Sequence, residues 1–500
     1  MKKRIHQIEL FMKYPHDVQR DLLFDLVDMA QKTEIGQKYG FKSIFTVDQF
    51  RERVPIFTYE QLYPYIERKL KGEKNILWAT DIRWFAKSSG TTNAKSKFIP
   101  VSPEALEDCH FKAGKDMLSL YVNNFNPNAK LFKGKGISLG GTHQANPWDP
   151  ETKFGDVSAV IMENLPVWAQ IIRAPKLKTA LMDEWEAKID IMAKETMHEN
   201  ITGIAGVPTW TVVLIRKILE LTGASSITEV WPNLELFIHG AVAFGPYETL
   251  FEELIPKKIS YLNTYTASEG FFGIQDQPDR DDMLLMLDYG IFYEFIPFYE
   301  IEKENPQTKT LDEVVINEMY ALVITTNAGL WRYKIGDVIS FTSVDPFRIK
   351  IVGRTKQFIN AFGEEMVVEN TDRAITEACK KTSASISDYS VAPIFLSSTE
   401  KGAHEWVIEF EKIPNDKNDF ERALDENLQS INSDYEAKRH KSMALDKPVI
   451  HFVPQGTFYK WMESRNKLGG QYKVPRLSNT REYVDSILEI MKTKECPTSD

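Results

Sequence analysis

The segment ITGIAGVPTWTVVLIRKILELTGASSITEVWPNLELFIHG, Ile201 to Gly240, decides the reading of the fold. Two short apolar runs, ITGIAGV and LELFIHG, flank a stretch from Thr209 to Leu221 whose apolar residues recur at helical spacing. The same alternation extends from about residue 130 to 350. GISLGG, KISYLNTYTA and YALVITT supply further strands, and Gly245 to Leu254 a further helix. Strands alternating with helices imply a wound α/β sheet rather than a sandwich. In open α/β sheets ligands bind at the carboxyl ends of the strands, so motifs in the loops after these strands are the first candidates for function.

Towards the N-terminus, Asp17 to Ala30 and Tyr59 to Leu70 show helical periodicity, the second after an extended VPIF. IRWFAK and KFIPVS are strand-like and bracket the small, polar SSGTTNAKS, Ser88 to Ser96. Beyond RIKIVGR the units shrink. FINAFGEEMV predicts a hairpin, and VAPIFL, EWVIEFEK and PVIHFV predict strands. Helices are predicted over Glu369–Lys380, Phe420–Ala437 and Arg481–Met491. The boundary falls near Arg354 to Lys356, giving a large domain over 1–355 and a smaller α+β domain over 356–500.

Composition bounds the rest. Five hundred residues exceed one ordinary core, and 43% apolar with 26% charged residues is a globular balance. A formal charge of −10 argues against generic nucleic-acid binding, which needs a basic footprint. Cys109, Cys379 and Cys496 are scattered and odd in number, matching neither a disulfide framework nor a zinc site. The most apolar stretch, from Met283, is broken by Asp288 and Glu294, so no membrane association is expected. The basic start lacks a secretory apolar core, and the expected location is cytoplasmic.

Five motifs carry chemistry. Lys87 to Lys97 crowds hydroxyls, a glycine and lysines into one loop, a composition able to wrap a polyphosphate, though also that of a solvated hairpin loop. In YTASEG, an aromatic that can stack on a base (Tyr265) precedes a carboxylate able to hold Mg²⁺ (Glu269); a helix start is the plainer alternative. In WRYKIGDV, Asp337 behind a glycine turn can accept both hydroxyls of a ribose, or merely shape the turn. Arg354 in GRTK is a candidate phosphate or ribose ligand, and Lys473 in GGQYKVPR sits on a glycine-mobile loop; either could be an ordinary surface residue.

Taken in order, SSGTTxxxxKFIP, YTASEG, YKIGDV, GRTK and GQYKVPR resemble the adenylate-forming enzymes. Within them the chain is similar to the auxin-responsive acyl acid amido synthetases, the Gretchen Hagen three family, in a bacterial-type short form. The run TEIGQKYGF…FRERVPIFTYEQLYPYIERKLKGEKNILW is also similar to that family. The loop spacing supports this over acyl-CoA or luciferase-type ligases, whose pattern is one residue shorter and has Pro before its lysine; here Lys97 lies nine residues after Ser88. Ala94 stands where the family often has Gly.

The resemblance implies a fold of two parts, a large N-terminal adenylate-forming domain and a mobile C-terminal one. It implies ATP and Mg²⁺, and a carboxylic acid and an amino acid as substrates. Ser88, Ser89, Gly90, Thr91, Thr92 and Lys97 would cradle the β- and γ-phosphates. Tyr265 would lie against adenine beside Gly240-Ala241-Val242, Ser268 near the α-phosphate, and Glu269 on the metal. Asp337 would hold the ribose assisted by Arg354, Lys356 would be the hinge, and Lys473 would enter during adenylation. The rival expectations are an acyl-CoA ligase on the same scaffold and a catalytically silent nucleotide-binding protein. The acyl pocket is sought between Thr142 and Trp168 (His143, Trp148, Phe154) and in the aromatic run Tyr289 to Tyr299; ordinary loop and core roles fit these residues as well. A monomer or weak homodimer is expected.

Overall fold

Eleven strands of one mixed sheet organise the N-terminal three quarters of the chain in the structure, a computed structural model. It describes residues 1–88, 97–242, 244–301, 303–354, 357–397, 401–465 and 474–492. At one end of the sheet, Arg173–Ala174, Lys135–Ser138, Ile201–Ala205, Leu236–Gly240 and Ser260–Ala267 run parallel, linked by helices that include Pro208–Thr222. This is the wound portion expected from the alternating pattern. From Ser260–Ala267 onward the pairing turns antiparallel, through Gly270–Ile274, Met283–Leu285, Phe347–Arg354, Tyr333–Val344, Met319–Thr326 and Ile291–Pro297. Every residue of Ile291–Pro297 is buried, because this strand is covered on both faces.

Trp84–Ser88 and Lys97–Val101 form an antiparallel pair in which Ser88 lies opposite Lys97, within a separate four-stranded sheet. The ends of the intervening loop are therefore fixed by a ladder. The extended VPIF segment docks beside Tyr333: Phe57 donates its N–H to Arg332 O at 2.9 Å, and Lys334 N–H returns to Phe57 O at 2.9 Å.

Past Arg354, a small hairpin (Phe358–Ile359 with Met366–Val367) precedes a three-stranded sheet of Ser385–Ile394, Ala403–Lys412 and Val449–Val453. The helix expected over Phe420–Ala437 is two helices, Lys417–Ile431 and Ser433–Arg439. Asn432 breaks it by accepting a hydrogen bond from Tyr435 N–H at 2.8 Å as an N-cap while its amide donates to Glu364 O at 2.9 Å. The helix expected from Gly245 starts as a 3₁₀ turn, Gly245–Tyr247, and becomes α-helical over Glu248–Leu254. One apolar cluster joins Ile204, Val212 and Phe237 of the parallel portion to Phe362, Ala374 and Trp406 of the C-terminal part, so the two parts share a buried seam.

Candidate active site

Ser260–Ala267 and Gly270–Ile274 form a tight hairpin, with Ala267 opposite Gly270 and Ser268-Glu269 as its tip. YTASEG is thus a strand end and a turn; the helix start is excluded. The tip carries Glu269 to Tyr333 at the start of Tyr333–Val344, whose hydroxyl donates to Glu269 Oε1 at 3.3 Å. Lys97 donates to the same hydroxyl oxygen at 3.4 Å. Tyr59 completes the group: its ring lies 5.5 Å from the Lys97 ammonium, and its hydroxyl oxygen accepts from Phe98 N–H at 2.7 Å. Burial raises the Glu269 carboxyl above its ordinary range, with the negative charge of Asp337 adding to the rise and Lys97 and Arg354 opposing it. These charges therefore sense one another although they come from four separate segments.

Asp337 is 7% exposed and both of its oxygens are engaged. Tyr265 donates its hydroxyl to Oδ2 at 2.6 Å, and Arg354 Nε donates to Oδ1 at 2.7 Å. The sheet register imposes the second bond, since Asp337 and Arg354 are cross-strand partners. Burial works against the Arg354 charge, but Asp337 and Glu365 more than offset it and raise its proton affinity. A carboxylate offers about four lone-pair sites, so Asp337 retains acceptor capacity beyond these two bonds.

Tyr265 is only 4% exposed and packs against Phe272 with ring centroids 4.8 Å apart. Little ring face remains for a base; its hydroxyl instead orients Asp337. At the end of Leu236–Gly240, Gly240 runs so close to its neighbour that a Cβ there would lie 2.6 Å from Thr264 O. Ala241 follows at φ +68°, and its carbonyl accepts from Asn360 Nδ2 at 2.9 Å, tying this turn to the C-terminal part.

The structure thus links Lys97 to Glu269 through Tyr333, and Tyr265 to Arg354 through Asp337, with Glu269 sensing the charges of Lys97, Asp337 and Arg354; Ser88 lies opposite Lys97 in its own sheet, and Gly240 and Ala241 end the strand beside Ser260–Ala267. Ser89, Gly90, Thr91, Thr92, Lys356 and Lys473 lie outside the described residues. Tyr59 and Tyr333 were not singled out from sequence, although Tyr333 stands inside the quoted YKIGDV. Arg332, one residue earlier, is structural: its guanidinium makes two bonds of 2.9 Å to buried Glu294. Among the acyl-pocket expectations, Trp148 is 54% exposed while Phe154, Tyr289 and Tyr293 are core residues.

Known proteins match most of the chain. Residues 4–259 match the GH3 family N-terminal domain, 284–354 the GH3 family central domain and 369–482 the GH3 family C-terminal domain. Indole-3-acetic acid-amido synthetase GH3.3 of Arabidopsis thaliana is 24% identical, the alignment covering 95% of this chain and 91% of that protein. Jasmonoyl–L-amino acid synthetase JAR4 of Nicotiana attenuata is also 24% identical, covering 98% and 95%. The fold is that of the GH3.15 acyl acid amido synthetase solved with 2,4-DB, with a TM-score of 0.63 at 17% identity over 98% of this chain and 96% of that one. It is shared more distantly by a 2-hydroxyisobutyryl-CoA ligase, with a TM-score of 0.57 at 11% identity over 95% and 92%. Since the first matched segment alone spans more than half of the residues and the other two fill most of the remainder, this chain belongs to the GH3 family.

Proposed function

We propose that the protein is an ATP-dependent acyl acid amido synthetase that adenylates a carboxylic acid and then transfers the acyl group to the amine of an amino acid. The observation that carries this reading is the convergence of Lys97, Glu269, Asp337 and Arg354 in a member of a family whose named relatives are amido synthetases. In the first half-reaction the substrate carboxylate attacks the α-phosphorus of ATP and pyrophosphate leaves. In the second the amine attacks the acyl carbonyl and AMP leaves.

The first step brings one anion against another. Two like charges about 4 Å apart repel by roughly 4 kcal/mol at an effective dielectric of about 20, so the site must supply positive charge. Lys97 and Arg354 supply it in this reading, with Lys473 as the further cation of adenylation. Asp337 holds the ribose hydroxyls on its remaining lone pairs, and Tyr265 and Arg354 keep its carboxylate in the orientation that does so. The Gly240-Ala241 turn lines the base, and Ser268 lies near the α-phosphate. Ser88 to Thr92 and Lys97 surround the outer phosphates.

The site also fits Mg²⁺. Glu269 is a desolvated carboxylate held at a hairpin tip, and its oxygens would hold the ion, since hard cations take oxygen ligands. When bound, the ion would neutralise phosphate charge. Lys356 serves as the hinge between a domain of 1–355 and one of 356–500, so that the C-terminal part can present different groups to the two half-reactions. Among the described residues no helix is long and apolar enough to cross a membrane.

Pyrophosphate exchange with a panel of aryl, fatty and jasmonate-like acids tests the reading, followed by mass spectrometry of products formed with mixed amino acids or with CoA. Acid-dependent exchange and amide products support it. Thioester products would assign a CoA ligase, and no exchange with any acid would leave a nucleotide-binding protein.

A further inference from the structure

The seam between the two parts holds a group of cations that adenylation does not use. Trp185, at the start of helix Trp185–Thr196, stacks on Trp210 of Pro208–Thr222 with ring centroids 4.1 Å apart and planes 4° from parallel. A lysine lies against each ring. Lys188 is 4.4 Å from the Trp185 centroid, and Lys438, carried by Ser433–Arg439 of the C-terminal part, is 5.8 Å from that of Trp210. Lys188 is satisfied, donating to Gly140 O at 2.6 Å and Gly141 O at 3.3 Å.

Lys438 is not. It is 5% exposed, yet among the described residues its ammonium makes one hydrogen bond, a long one of 3.4 Å to Asp434 O, and has no carboxylate at ion-pair distance. A buried ammonium with unused donors is costly unless a partner arrives. The nearby charges favour an anion: Lys87, Lys188 and Lys438 all act on Asp156, whose carboxylate is already bonded to Thr142 N–H at 2.7 Å. Asp183 is the other carboxylate acting on Lys188.

One loop joins this position to the Gly240-Ala241 turn. A Cβ on Gly363 would lie 3.5 Å from Lys438 Nζ and 3.7 Å from Val207, and this glycine belongs to the same loop as Asn360, which holds the Ala241 carbonyl. Lys87 directly precedes Ser88.

We infer that Lys438 binds the α-carboxylate of the acceptor amino acid, on a subsite assembled only when the C-terminal part is docked against Trp210 and Asp156. The inference rests on the function proposed above and deepens it. An α-amino acid differs from a simple amine by an anion beside the nucleophile, and a buried cation one loop from the Gly240-Ala241 turn distinguishes the two. Because Lys438 belongs to one part and Trp210 and Asp156 to the other, acceptor binding also stabilises the pose in which transfer occurs.

The test uses the full chain, the best acid from the exchange screen, and each of the twenty protein L-amino acids beside its α-carboxamide. Loss of a charge-assisted hydrogen bond to a carboxylate predicts that Lys438→Met raises the amino-acid KM by about 10–100-fold. The carboxamide KM changes little, so discrimination collapses, and Lys438→Arg restores part of it. Pyrophosphate exchange, which precedes acceptor binding, is the internal reference for each variant. Undiminished preference for the amino acid in Lys438→Met, with exchange intact, overturns the inference. Should that variant not fold, Lys438→Gln carries the same comparison. A wild-type enzyme that exchanges pyrophosphate but does not prefer amino acids to their carboxamides also overturns it, leaving adenylation standing. Absence of exchange with every acid would instead refute the proposed function.

Discussion

Asp337→Asn keeps the shape of the side chain and one acceptor oxygen but removes the charge that Arg354 and Tyr265 now share. The pair is largely shielded, with side chains 10% and 21% exposed, so truncating one member leaves a guanidinium poorly compensated. Breaking a fully buried pair costs about 3–5 kcal/mol, and the partial exposure places this one near the lower end, about 3 kcal/mol of stability. The effect on nucleotide follows from the two proposed ribose bonds. One keeps an acceptor that is now neutral and the other faces an amide NH₂ that cannot accept, a loss of about 1 kcal/mol or more apiece, and about 2 kcal/mol corresponds to roughly 30-fold weaker ATP binding. Urea unfolding reads the first quantity and calorimetric titration of MgATP the second. The variant also carries an electrostatic signature: without the neighbouring negative charge the Glu269 carboxyl loses a proton more readily. A folded Asp337→Asn protein whose ATP affinity stays within twofold of the parent would refute the ribose role and confine Asp337 to holding Arg354.

Further outcomes follow from the same geometry. Because burial holds the Glu269 pKa above its unfolded value, the folded chain binds more protons in the interval between the two. The contribution of this group to stability therefore falls as pH rises through that interval, and Glu269→Gln removes the slope in pH-dependent unfolding. Lys473→Ala is expected to slow adenylation by about 10²–10³-fold, the scale for one preorganised charge-stabilising donor, and single-turnover acyl-AMP formation at the parent rate would remove that assignment. Glu294→Gln, at the buried Arg332 pair, lowers stability by about 3–5 kcal/mol while leaving the ATP affinity of the folded protein unchanged, as denaturant titration and calorimetry can check.

The local part of this architecture was legible in the sequence. Tyr59–Leu70 begins and ends where periodicity places it, and Gln61 accepts from the Thr58 N–H at its start. The strands around Ile201 and Leu236 followed from apolar runs and the helix between them. Periodicity says nothing about pairing direction, however, so the antiparallel half of the large sheet became visible only from its register. The break at Asn432 was missed because the apolar pattern continues across it, while the cause is a cap bonded to Glu364 from another segment. At the site, motif order pointed to Lys97, Glu269, Asp337 and Arg354. It could not show that Tyr333 bridges two of them or that Tyr265 spends its hydroxyl on Asp337, since those contacts join residues far apart in sequence. Nor could it separate Arg332 from Arg354, two arginines in quoted motifs, of which one is fixed on a core carboxylate and the other on Asp337.

The central claim is that a carboxylate oxygen attacks the α-phosphorus of ATP before an amine displaces AMP. It is tested most directly with the active acid labelled in both carboxylate oxygens with ¹⁸O, under turnover with ATP and the preferred amino acid. The account predicts one labelled oxygen in each AMP released, one retained in the amide, and none in pyrophosphate. Label appearing in inorganic phosphate alongside ADP would mean attack at the γ-phosphorus through an acyl phosphate, and would contradict it.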